Sequence, residues 1–214
     1  MKTDVSAVIL AGGKGRRMGG RNKALLEWGG ETLLARQIRI CAPWADEIIV
    51  VSRDAEVARI ASRFPPARVV PDPAGYEGEG PLAGLAAGAS CASGAFVWLV
   101  ACDQPHISAE AASLLLQRMR ESGTGAPDAA PQAALPKLDG RLQPFHGIYR
   151  REAALEAAEH LLRQGRRKMT DLLERLTYVC LDAEEFARRG IVQAFTADVD
   201  TPEDYRILKN TPNV

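Results

Sequence analysis

Short apolar runs alternate with longer amphipathic stretches along the first half of the chain. Val5-Ser6-Ala7-Val8-Ile9-Leu10 reads as a buried strand. Glu47-Ile48-Ile49-Val50-Val51 reads as a second, with so few polar positions that both of its faces must be covered. Between them, residues 31–42 place Leu33, Leu34, Ile38 and Cys41 near helical spacing. A helix over 54–63, a short strand at 68–70 and a small-residue helix over 81–92 follow, the last with Pro81 in its first turn. Residues 95–101 form the most apolar strand, and Ser108 caps a helix running to about residue 120. Beyond it, 129–135 and 141–149 read as two strands joined through the turn signal Lys137-Leu138-Asp139-Gly140. Helices over 151–164 and up to about 176, short strands at 178–181 and 194–199, and a final helix opened by Thr201-Pro202-Glu203-Asp204 complete the pattern. Residues 123–132, rich in glycine, alanine and proline, read as a mobile connection. Strand–helix alternation of this kind predicts an α/β fold with a mostly parallel sheet and helices on both faces.

Composition narrows the class. The 214 residues suit a single domain, and 46% hydrophobic with 25% charged residues supplies a full core. Lysine plus arginine total 27, as do aspartate plus glutamate, a balance that argues against nucleic acid or an anionic membrane as partner. No run of eighteen apolar residues or signal-type segment occurs. Cys41, Cys91, Cys102 and Cys180 are scattered, without a Cys-x-x-Cys pair, so a reducing compartment and a cytoplasmic location are expected. The basic residues are uneven: Lys14, Arg16, Arg17, Arg21 and Lys23 crowd one short stretch, and Arg163, Arg166, Arg167 and Lys168 another.

The first basic stretch lies within Leu10-Ala11-Gly12-Gly13-Lys14-Gly15-Arg16-Arg17-Met18-Gly19, directly after the first strand. In an open parallel sheet, ligands bind beyond the carboxyl ends of the strands. Gly12, Gly13 and Gly15 let the backbone approach a phosphate and aim N–H groups at it, and Arg17 and Lys23 add cations. Each such contact with a unit charge is worth about 4 kcal/mol at about 4 Å and intermediate dielectric, before desolvation. The spacing is not that of a P-loop, and Met18 stands where a dinucleotide fingerprint needs its last glycine. Asp103, in Cys102-Asp103-Gln104-Pro105, sits at the tip of the apolar strand where a carboxylate can hold the magnesium that accompanies a triphosphate. Asp72, Asp198 and Asp200 are further acids at strand ends, although an acid placed like Asp200 is favourable before a helix without any ligand. Gly78-Glu79-Gly80-Pro81 opens a helix through a second glycine turn, offering Gly80 to a base or ribose edge or serving as a plain helix start.

Together these residues resemble the molybdenum cofactor guanylyltransferases, within the nucleotidyltransferases built on a Rossmann-like three-layer sandwich. The matching segments are LAGGKGRRMGGRNKALL (10–26), residues 71–84, ACDQP (101–105) and DVDTPED (198–204), with Gln143-Pro144-Phe145 and Tyr149-Arg150 resembling the family's central hairpin region. The resemblance implies that Leu10, Ala11 and Gly12 bind a guanine nucleotide, that Lys23 contacts its phosphates, that Asp72 binds the nucleoside, and that Asp103 binds GTP and Mg2+. Val51 and Ser52 stand where some members carry an asparagine at a nucleotide contact. The implied reaction joins GMP from GTP to molybdenum-bearing molybdopterin and releases pyrophosphate, with delivery or acceptor proteins of that cofactor as partners. Residues 1–107 would form a nucleotide-binding half and 108–214 an acceptor-binding half of one domain. Arg166, Arg167, Lys168 and Asp200 are assigned to the acceptor side. An ionised phosphate nucleophile needs no base, so catalysis falls to alignment and charge stabilisation by Mg2+, Arg17, Lys23 and Asp103, and His106 and His146 are expected to be structural.

Two alternatives stay open. A cytidylyltransferase making the cytosine form of the cofactor usually has alanine at the position of Gly12, yet Asp198-x-Asp200 is closer to that group than the Asn-x-Asn of guanylyltransferases. A non-catalytic nucleotide-binding protein of the same fold is the other, and the presence of both Lys23 and Asp103 favours activity.

Overall fold

The computed structural model describes residues 3–13, 18–65, 67–123 and 130–211. β1 (Val5–Leu10) is buried along its whole length. A hairpin of β2 (Glu27–Trp28) and β3 (Glu31–Thr32) then runs into α1 (Leu33–Cys41), whose N-cap Thr32 accepts the Ala35 N–H. β4 (Glu47–Val51), α2 (Ala55–Ala61), β5 (Ala67–Val70), α3 (Pro81–Cys91), β6 (Phe96–Ala101) and α4 (Ala109–Glu121) continue the alternation. Then come β7 (Ala133–Leu138), β8 (Arg141–Leu142), β9 (Ile148–Arg150), α5 (Arg151–Arg163), α6 (Met169–Leu173), β10 (Tyr178–Asp182), α7 (Ala183–Ala187) and α8 (Pro202–Asn210).

The main sheet runs β10-β7-β9-β6-β1-β4-β5, with β8 paired to β7. β1 is parallel to both β4 and β6, β4 to β5, and β10 to β7, whereas β9 is antiparallel to its two neighbours. Side chains alternate across the pleat. Val5, Ala7, Ile9, Trp98 and Val100 join the core under α1, α2 and α4, and Val8, Leu10, Val97 and Leu99 join the core under α3, α5 and α6. The expected α/β sandwich with a mixed, mostly parallel sheet is therefore present. The chain leaves β1 toward β4 on one side and returns to β6 on the other, so β1 and β6 flank the topological switch point.

α3 reaches this point because it packs unusually close to β1. A Cβ on Gly88 would lie 2.3 Å from Val8 Cγ1, and one on Gly84 2.8 Å from Leu10 Cδ2. Only glycine allows that approach, which carries Gly80, at the N-terminus of α3, to the carboxyl edge of the sheet.

Two expected strands took other forms. Residues 141–149 divide into β8 and β9, and His146 between them has φ 74°. Next to it, a Cβ on Gly147 would lie 2.6 Å from Leu135 Cδ2, so the chain turns into the core there and cannot keep to one ladder. Residues 194–199 do not pair in the sheet: a 3-10 turn at Gln193–Thr196 drives Phe195 against His146 and Phe186, with ring centroids 4.7 and 5.0 Å apart. Burying that aromatic replaces a ladder that an alternating sequence would also fit. Residues 124–129 of the expected connection, including the start of the strand expected at 129, lie outside the described residues, and β7 begins at Ala133.

Candidate functional site

The carboxyl ends of β1, β4, β5 and β6 surround a cleft of about 550 Å³. Leu10, Gly12, Gly13, Lys23, Asp72, Gly80, Asp103 and Asp200 line it, all of them singled out in the sequence. Asn22, Phe145 and Asp198 line it too. Gly15 and Arg17 lie outside the described residues, as do Lys14 and Arg16.

Lys23 is the centre of the arrangement. It follows Asn22, the N-cap of a 3-10 turn at Lys23–Leu25, whose side chain accepts from Ala24 N and donates to Asp54 at 2.9 Å. The Lys23 ammonium donates to Asp103 Oδ2 at 2.9 Å and to Asp200 Oδ1. Burial pulls its pKa down, but the hydrogen bonds and charges of Asp200 and Asp103 outweigh burial and leave it above the usual lysine value. Lys23 is therefore a fixed cation. Asp103 is at the β6 tip, where its carbonyl accepts from Val199 N at 2.8 Å and ties residues 198–200 to the strand end. That link places Asp200 on Lys23. The helix cap is instead Thr201, in a capping box with Asp204. Asp198 titrates near 6, raised first by desolvation in the cleft and then by the Asp103 and Asp200 carboxylates beside it.

Other sequence candidates fall around this centre. Ala11 is buried, and its N–H donates to Val51 O at 3.0 Å. Ser52 is buried behind the loop, and its hydroxyl donates to Ala11 O at 3.2 Å, which holds the glycine stretch against β4. Asp72 accepts from Gly78 N at 3.0 Å and closes the loop that leads to Gly80, itself at φ 92°. In the second basic cluster, Arg166 binds Asp171 and Glu174, both at 2.8 Å. Arg167 pairs with Glu79, and its carbonyl would lie 3.8 Å from a Cβ on Gly80, so this stretch abuts the cleft rim. Lys168 is exposed at the N-cap of α6. His146 is fully buried and accepts from Ser108 N at 2.9 Å, and burial pushes its pKa down to about 3. His106 packs edge-on to Trp28. Both histidines are placed by packing, away from the cleft lining.

Among the described residues, no group of three or more His, Cys, Asp or Glu side chains is arranged to hold a metal alone. Among the described residues, Asp103, Asp198 and Asp200 nonetheless bring three hard-oxygen carboxylates to the cleft around Lys23. Such donors fit a divalent cation such as Mg2+, which is commonly held by one or two carboxylates and completed by substrate phosphates.

A sheet with its switch point at β1 and β6, a glycine stretch there, and a cation between two strand-end carboxylates define a nucleoside triphosphate transferase. The family profile of the MobA-like NTP transferase domain matches residues 7–179. The molybdenum cofactor guanylyltransferase of Pseudomonas putida is 33% identical over 86% of this chain and 90% of its own. That of Pseudomonas aeruginosa is 35% identical over 78% of this chain and 79% of its own. A crystal structure of molybdopterin-guanine dinucleotide biosynthesis protein A from Archaeoglobus fulgidus superposes with a TM-score of 0.73 at 25% identity, covering 96% of each chain. The chain belongs to the molybdenum cofactor guanylyltransferase family of MobA-like nucleotidyltransferases.

Asn22 and the residues that brace the β6 tip were not legible as functional in the sequence. An asparagine directly before Lys23, at a capping position, was the one available signal.

Proposed function

We propose that the protein transfers GMP from GTP to molybdopterin bearing molybdenum, releasing pyrophosphate and forming the guanine dinucleotide. The observation that carries this reading is Lys23 fixed between Asp103 and Asp200 at the cleft that Gly12 and Gly13 open. The glycine stretch cradles the triphosphate, Leu10, Ala11 and Gly12 lie along the base, and Gly80 and Asp72 face the nucleoside. Asp103, with Asp200, would hold Mg2+, which when bound neutralises charge on the triphosphate. Lys23, with Arg17 as a second cation, offsets the negative charge that grows on the α-phosphate, and the acceptor phosphate attacks already ionised, without a protein base. Residues 1–107 supply most of the nucleotide side and 108–214 most of the acceptor side, including Phe145 and the rim stretch Arg166, Arg167 and Lys168. Activity in the cytoplasm, with molybdenum cofactor delivery proteins as partners, accords with this substrate pair. Among the described residues, no helix is long and apolar enough to cross a membrane.

A cytidylyl reading rests on Asp198-x-Asp200, whereas Gly12 counts against it: a Cβ there would meet nothing of the protein nearer than 3.8 Å. Preference for the smaller residue must then come from the base itself, and glycine leaves room for a purine. Pyrophosphate release from GTP and from CTP, each with molybdopterin, decides between them. Turnover with GTP at least tenfold above CTP is expected, and no turnover with either would refute transferase activity.

A further inference from the structure

Gln37 is a fully buried amide on α1, a helix that also buries Leu33, Leu34, Ile38 and Cys41. Its Nε2 donates to Ala101 O and to Gln104 O, both at 2.8 Å. These two carbonyls bracket Cys102 and Asp103. Its neighbour Arg36 donates from Nε to Pro105 O at 2.9 Å while its guanidinium lies 4.4 Å from the centroid of the Trp28 ring. One helix turn therefore grips three carbonyls of the β6 tip from behind. The grip is not explained by satisfaction of the amide itself, because Gln37 Oε1 is buried without a hydrogen-bond partner. A leucine would remove that unmet acceptor but also take the side-chain donor from the buried Gln104 carbonyl, so what the amide contributes is its hold on the tip.

We propose that Gln37 is a positioning residue of the transfer centre: it sets the height and tilt of the tip that presents Asp103 to Lys23 and to the metal-bearing triphosphate. The proposal rests on the transferase reading above. Gln37 touches neither substrate nor metal, and acts through the peptide groups on either side of Asp103. A tip released by even 1 Å would move Asp103 out of line with the phosphates, a displacement that can cost about a hundredfold in rate.

The test compares Gln37→Leu and Gln37→Met with Ile38→Val, a mild core deletion on the same helix that leaves the tip alone. Hydrogen exchange of the nucleotide-free protein should show residues 101–107 exchanging at least tenfold faster in both Gln37 variants, with β1 and β4 unchanged. Mn2+ affinity in the presence of GTP, read by electron paramagnetic resonance, should fall about tenfold, while metal-free GTP binding stays within threefold. With molybdopterin, kcat should drop about 10- to 100-fold with the KM for GTP nearly constant. Ile38→Val should change none of these. Unchanged exchange at 101–107, or loosened exchange with Mn2+ affinity and kcat at wild-type levels, overturns the proposal. A wild type inactive on GTP counts instead against the transferase reading, and the exchange and Mn2+ measurements then decide the role of Gln37.

Discussion

Replacing Lys23 with methionine removes the cation on which the site converges while keeping its length and most of its apolar stem. Lys23 is largely enclosed, its side chain 17% exposed, and its nitrogen lies 2.9 Å from Asp103 Oδ2 with Asp200 on its other side. A charge-assisted hydrogen bond to a phosphate contributes about 1.5–3 kcal/mol net, and more where water is excluded and charge is growing. A loss of about 2–4 kcal/mol of transition-state stabilisation is expected, or about 30- to 1,000-fold in kcat/KM for GTP. The same change takes the Lys23 charge away from Asp103, Asp198 and Asp200. Asp198 already titrates near 6, above its unfolded range, so it binds more protons folded than unfolded and lowers stability as pH climbs through that interval. The deficit of the variant in melting temperature should therefore be larger at pH 8 than at pH 5. Steady-state pyrophosphate release and thermal denaturation at the two pH values measure both effects. A variant within threefold of wild-type kcat/KM would refute the assignment of Lys23, and a pH-independent deficit would refute the electrostatic account of the cluster.

Further outcomes follow from other contacts. Glu47 accepts from Ser6 at 2.6 Å, from Ser93 N and Oγ at 2.5 and 2.7 Å, and from Arg68 at 3.0 Å. Despite burial, which acts upward, these bonds bring its pKa down to about 2, so the stability it adds is present above pH 4.5 and lost as pH falls toward 2. Chemical denaturation of Glu47→Gln across that range should lack up to about 3 kcal/mol of the acid slope. Neutral, buried His146 must gain a proton on unfolding below pH 6.5, so wild-type stability should fall from pH 6.5 toward 3, and His146→Leu should lose that part of the slope. Gly88→Ala should cost about 1–3 kcal/mol in urea unfolding because its methyl would lie 2.3 Å from Val8 Cγ1, with Gly84→Ala milder because its close contact is with the single terminal carbon Leu10 Cδ2 at 2.8 Å. Charge reversal at Arg166 and Arg167 should weaken molybdopterin binding in calorimetry with GTP affinity intact, and equal loss of both would remove that stretch from the acceptor site.

Periodicity made most of the sheet legible, because β1, β4 and β6 are buried on both faces and their sequences say so residue by residue. It could not resolve β2 and β3, two residues each, or separate residues 194–199 from a strand, since alternation describes any extended segment with one buried side. The site was legible as a set of strand-end residues but not as contacts. Lys23 and Asp103 are 80 positions apart, Lys23 and Asp200 177, and only the sheet order brings them together. Asp200 looked like a helix-terminal acid because the same dipeptide carries the true cap, Thr201. Gln37 carried no signal in the sequence, because its two carbonyl partners belong to a strand tip more than 60 residues away.

The long reach from Lys23 to Asp200 also sets an order of events during synthesis. A nascent chain that has already made β1 to β10 has the glycine stretch, Lys23 and Asp103, yet lacks Asp200. It also lacks α8, whose Tyr205 hydroxyl bonds Glu27 O at 2.8 Å and whose Leu208 packs with Trp28 and Leu33. The sheet can therefore form on the ribosome well before the cleft is complete. Nucleotide captured by such an intermediate would meet Lys23 with one carboxylate missing, so competence for transfer arrives only when residues 198–208 have emerged and docked.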